Sequence, residues 1–421
     1  GSVAISTGTL TSVTGTLDVG TGNDTIALTL ATTGVDISSA NTTTEAVTLS
    51  DTTLAAATLN TLNDNTTGAV NANTLTTLTG TAADANTTFA AGKDGEITGL
   101  GNEAVTLDDM TLTAATLNTL DGNTTGAVNA ANVTMLTGLA ANVNTAYASA
   151  GISNLGDEAV TLNDTTLAAD MVAAIDNATS GAINATNVTT LTGSASNVNS
   201  ALTSAGVTNL DGDEAVTLSD TTLAAATLNT LDGNTTGAVD ATTVTTLTGS
   251  AANMNTAYAS MGISNLANEA VRLDDASLAA ATLNMLDDNT TGAIDAATVT
   301  TLTGSAANVN TAYASGGVTN LGDVTVTLTD TTLTVATLNT LIGYTAGLVD
   351  ATTVTTLTGS TADVNTAYTA FADGKVTSLG NETVILTDKD VFAETVVAID
   401  SATSGAINAT NVTTLTGSAS N

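Results

Sequence analysis

The sequence predicts an α/β solenoid, a stack of short parallel strands and helices generated by one repeated unit of about 55 residues. Three observations carry the prediction. The same opening returns at Glu45, Glu103, Glu158, Glu214, Glu269, Val324 and Glu382, with nearly constant spacing. The glycine of each Leu-Thr-Gly (Gly80, Gly138, Gly193, Gly249, Gly304, Gly359, Gly417) gives the same series of intervals independently. Within each unit, period-2 alternation gives way to helical spacing twice, which predicts two strand–helix coils of about 23–32 residues and a parallel sheet. An all-β solenoid is the alternative, because threonine-rich segments favour strands.

Taken in order, residues 1–44 do not fit the repeat and read as an N-terminal cap or a degenerate unit over the first apolar layer. Residues 45–421 form the array, six full units and a seventh that stops at GSASN, as expected of a piece of a longer protein. In the unit from Glu214, EAVTL alternates and reads as a strand. DTTLAAATLNTLDGNTTG follows, with Leu223, Leu228 and Leu231 at helical spacing, Asp220 or a following threonine as N-cap, and Gly237 as the C-terminal glycine. Two units replace this stretch with plainer helix formers, LAADMVAAIDNATSG and FAETVVAIDSATSG. The second half predicts a strand at GAVDA, a turn or single helical loop at VTTLTG and a helix at SAANMNTAYASMG. There Met254, Ala257 and Tyr258 share one face.

Equivalent positions are expected to stack in columns. One runs Phe89, Tyr147, Leu202, Tyr258, Tyr313, Tyr368; another Asn86, Asn144, Asn199, Asn255, Asn310, Asn365. The second column predicts either an inward ladder bonding its own coil and the next, or a row of exposed asparagines. The two longest units, those opening at Glu45 and Val324, carry their extra residues near Lys93 and Lys375, which reads as a surface loop.

Composition narrows the function. Four basic against 40 acidic residues give a net charge of −36, a field that repels nucleic acid and anionic lipid. There is no Cys and no His, and the cations are Lys93, Arg272, Lys375 and Lys389. The usual base–nucleophile arrangements are therefore missing, and no catalytic residue is assigned. No apolar run reaches membrane-spanning length.

Calcium is the one cofactor the sequence raises. Gly20-Thr21-Gly22-Asn23-Asp24-Thr25-Ile26 resembles a single nonapeptide of the secreted RTX calcium β-roll, with Asp24 as ligand and no tandem copy to close the site. The loops at Asp121 and Asn123, Asp232 and Asn234, and Asp287 and Asn289 present oxygens at alternate positions, as hard-cation loops do. Their other reading, favoured here, is a helix-ending turn. The Thr-x-Thr triplets (Thr246 and Thr248, Thr301 and Thr303, Thr356 and Thr358) raise a lattice-binding face for ice or another regular surface, or ordinary strand propensity.

Phrases such as TLNTLDGNTTGAV and TTLTGSAANVNTAYASAGISNLGDEAVTL resemble the tandem repeats of giant secreted cell-surface proteins of marine cyanobacteria, of the motility and adhesion type. The resemblance covers about residues 45–421 and implies an extracellular, calcium-rich, saline setting. The expected function is a non-catalytic rigid spacer or filament-forming segment of a large surface protein. Its partners would be further repeats or cell-surface polysaccharide; the alternative is a calcium-dependent adhesin or threonine-lattice binder.

Overall fold

A computed structural model describes residues 46–418. The cap expected at 1–44, including Asp24, lies outside the described residues. The fold is an α/β repeat solenoid with parallel sheets: every strand pair is parallel among the described residues, and each coil carries one helix. The chain divides into two compact units, residues 46–192 with 200–214 and residues 193–199 with 215–418.

The strands are more numerous than the sequence pattern implies. From Ala104 they are Ala104–Leu107, Thr111–Thr113, Val128–Asn129, Met135–Gly138 and Ile152–Ser153, around helices Ala114–Asp121 and Ala140–Ala148. The VTTLTG stretch is therefore a strand, as at Thr246–Gly249, and not a turn. Likewise Leu223 belongs to the strand Thr222–Ala224, and its helix starts only at Ala225. Leu223 and Leu228 mimic helical spacing because a strand residue and a helix residue both point at the same thin core.

The core is one set of columns. In one sheet Leu112, Leu136, Val160, Ile183 and Val207 stand opposite one another. In the second compact unit Leu223, Leu247, Val271, Ile294 and Val318 do the same. The helices present Ala114, Leu117 and Leu120, or Ala251, Met254 and Ala257, to these columns. Small apolar side chains at i, i+3 and i+6 suit a layer only one side chain thick.

Sheets and helices run at different pitches. Two strand steps carry the sheet from Leu112 through Leu136 to Val160, whereas two helix steps run from Ala114 through Ala140 to Ala169. Packed helices sit about 8–10 Å apart and paired strands about 4.8 Å, so a sheet cannot stay in step with its helices. The first five-stranded sheet shows the result. Thr53 lies just ahead of its helix start, Ala56, but Ile152, in the fifth strand, lies far ahead of Ala169. A sixth strand, one more step of the same size as Val128 to Ile152, would fall at Asp176, inside the helix Ala169–Ala178. The sheet ends there, and others have already begun at Thr111 and Thr166.

The insertions near Lys93 and Lys375 do not form loops. They lengthen a helix, giving Ala82–Lys93 and Thr361–Ala372 12 residues each against nine in Ala140–Ala148 or Ala251–Ala259. The sheets absorb the change by pairing Thr77 with Ala104 and Thr356 with Thr383, longer steps in sequence than the equivalent pair Met135 with Ala159.

Candidate functional site

Four sets of polar side chains recur in the units, and each is spent on joining one coil to the next. The first caps helices. Asp220 does not cap its own helix: its Oδ2 accepts from the backbone N–H of Ala195, at the start of the preceding coil's helix, at 2.7 Å. Asp109, Asp164, Asp275 and Asp330 do the same for Ala82, Ala140, Ala251 and Ala306, each at 2.8 Å. A carboxylate at a helix N-terminus satisfies an orphan donor and faces the positive end of the dipole.

The second set is the asparagine ladder. Asn86, Asn199, Asn255 and Asn310 donate through Nδ2 to the carbonyls of Thr116, Thr227, Thr282 and Thr337, on the next helix, at 3.0–3.4 Å. The other helix of each unit continues the ladder, Asn118 to Asn142, Asn229 to Asn253 and Asn284 to Asn308, a column the sequence reading did not include. It reaches the next coil, with no bond to its own.

The third set contains the proposed calcium residues. The structure turns the two members of each loop in opposite directions along the chain. Asn123, Asn234 and Asn289 donate back to the Oδ1 of Asn86, Asn199 and Asn255 at 2.8–3.0 Å, joining the ladder. Asp121, Asp232 and Asp287 face forward, where Oδ2 accepts from Ser149, Ser260 and Ser315 at 2.7 Å. Each serine in turn receives the N–H of a glycine, such as Gly151, whose added Cβ would lie 2.1 Å from Asp121. Among the described residues no three acidic side chains gather around one point. The glycine ending these loops is likewise not a left-handed cap. Gly126 lacks a positive φ, and a Cβ there would sit 2.3 Å from the Glu103 carbonyl oxygen.

The fourth set was passed over in the sequence, although the glutamate that opens nearly every unit was its signal. Glu103, Glu158, Glu269 and Glu382 are at most 1% exposed. Each accepts the backbone N–H two residues earlier, at Gly101, Gly156, Ala267 and Gly380. Tyr147, Tyr258 and Tyr368 donate to Glu158, Glu269 and Glu382 at 3.2–3.3 Å. Burial, with the adjacent carboxylate adding to it, pushes these three phenols up to about 12. Tyr258 therefore sits only half inside, beside the buried Met254 and Ala257 rather than among them.

The outer faces of the sheets carry threonine. Thr113, Thr137 and Thr161 lie in register, followed by Asn184 and Thr208. The rows are not uniform: the corresponding row from Ala224 contains Thr248, Arg272, Asp295 and Thr319, and Met135 interrupts the neighbouring row. A recess of about 340 Å³ lined by Thr186, Thr189, Asn209, Asp211 and Asp213 is polar and acidic. No helix among the described residues is long and apolar enough to cross a membrane. No protein-family model matches this sequence, and no curated protein compared with it is similar to it.

Proposed function

We propose that this chain is a non-catalytic structural segment of a larger extracellular, cell-surface protein, a spacer or filament-forming element of the kind its repeat wording resembles. The observation that carries the reading is where the polar side chains go. Caps, asparagines, aspartate–serine pairs and buried glutamates are used for coil-to-coil and loop bonding, unit after unit. A site for one reaction is an exception within a fold, whereas these groups repeat with it. Such bonding stiffens a stack, and the charge of −36 holds neighbouring copies apart.

Small-angle X-ray scattering of the purified chain tests this. A compact domain of this length has a radius of gyration of about 22 Å. A spacer gives a value well above that, with a linear cross-section region in the scattering curve. A value at the compact limit would sink the proposal.

A further inference from the structure

One unit breaks the pattern at several positions together, and all the changes remove polarity. Val324 replaces the buried glutamate, Ile342 the loop aspartate, Tyr344 the loop asparagine, and Leu348 the alanine found at Ala127 and Ala293. The replacements are contiguous in space. Tyr344 stacks on Tyr313, with ring centroids 6.0 Å apart and planes 4° from parallel. The Tyr313 hydroxyl, having no glutamate to meet, donates to the Gly322 carbonyl at 3.3 Å, and Thr345 bonds the carbonyls of Gly322 and Val324. Tyr344 is 46% and Leu348 40% exposed, so an aromatic and aliphatic patch faces solvent on a chain otherwise coated with Thr, Asn and Asp.

The exchange has a structural cost. In sister units Asn234 and Asn289 supply the donor for the Oδ1 of Asn199 and Asn255. With Tyr344 in that place, the buried Oδ1 of Asn310 has no donor. A local rule broken without a gain in packing marks a position kept for another purpose.

We propose that Tyr344, supported by Tyr313 and flanked by Leu348, is a stacking platform for the pyranose ring of a neutral β-linked glucan. Three features select that partner. The platform is flat and parallel, and a β-glucose ring with all hydroxyls equatorial offers a flat C–H face to it. The unit has lost the carboxylates that the others keep at positions 324 and 342, and no cation replaces them. The net charge of −36 repels polyanions and a second copy of the chain, while an uncharged glycan meets no such penalty. Tyrosine also presents a large contact area with few rotamers to immobilise. The inference gives one unit of the structural segment a ligand, and its test is separate from the scattering measurement, which reads the whole array.

The test is calorimetric titration of the full chain with cellohexaose. Saturable binding with a dissociation constant of about 1 mM is expected for one open stacking site. Tyr344→Phe should retain it, and Tyr344→Asn, which restores the sister residue, should weaken it at least about tenfold while raising the melting temperature. No saturable heat up to about 10 mM, or binding unchanged in Tyr344→Asn, overturns the proposal. A concentration-dependent dimer in sedimentation that Tyr344→Asn abolishes also overturns it, by showing that a second copy covers the patch.

Discussion

The asparagine ladder is uneven, and its gaps predict substitutions. Asn60 has both amide ends satisfied: Nδ2 donates to the Asp84 carbonyl and Oδ1 accepts from the buried Thr88 hydroxyl at 2.7 Å. At the positions equivalent to Thr88 stand Ala146 and Ala367, and there the Oδ1 of Asn118 and of Asn339 is buried without a donor. Ala146→Thr should therefore stabilise the fold by about 1 kcal/mol in urea titration. A loss of stability would mean that the layer is too tight for two more heavy atoms. The tyrosine–glutamate pairs predict an alkaline transition. Tyr147, Tyr258 and Tyr368 are raised from 10.0 to about 12, so the folded state keeps protons that the unfolded state loses. Their stabilisation is complete below pH 10 and disappears as pH rises towards about 12. Urea midpoints of the wild type should fall between about pH 9 and about pH 11.5, and the triple Tyr→Phe variant should lose most of that fall. The tyrosine column was legible in the sequence as a column. Its glutamate partner was not, because the two stand 11 or 14 residues apart across a loop that no local period describes.

Helices here are finished by their neighbours. Ser250 and Ser305 cap their own helices, accepting from Asn253 and Asn308, but the first N–H of each helix goes to an aspartate of the next coil. Asp275→Ala should destabilise by about 1 kcal/mol. Hydrogen exchange locates the damage: faster exchange is expected in Ala251–Ala259, with Ala280–Asn289 unaffected. The reverse result would restore the local-cap reading. The helices themselves, their order and the parallel strands were readable from the sequence, since Ala, Leu and Thr spacing alone separates period 2 from 3.6. What escaped was the second strand of each coil, at Thr222–Ala224 and Thr246–Gly249, which abuts a helix and shares its apolar face. The inserted turns near Lys93 and Lys375 escaped for a similar reason: AAGK and AFADGK contain glycine, yet continue a helix already held by its neighbours.

At the scale of the whole chain, charge is the dominant unspent quantity. With 40 acids and 4 bases, self-repulsion is relieved by salt. Raising sodium chloride from about 10 mM to about 0.5 M, which shortens the screening length from about 30 Å to under 10 Å, should raise the melting temperature smoothly. Calcium at about 1 mM should do little more than its ionic strength, because each aspartate–asparagine loop is already committed to two different coils. A large calcium-specific rise would instead identify Asp121, Asp232 and Asp287 as ligands and favour the adhesin reading.

The mismatch of pitch between sheets and helices has a mechanical consequence. Because every sheet ends before the next has run its course, the coils are lapped like overlapping laths. In the first compact unit, parting the coil at Met135–Gly138 from the one at Ala159–Leu162 breaks that strand pair and also the pair Val128–Asn129 with Ile152–Ser153, which belongs to another sheet. No single seam of strand hydrogen bonds can therefore unzip along the stack. Tension that opens one sheet is handed to its neighbour within a coil or two, and a crack has to start again at each lap.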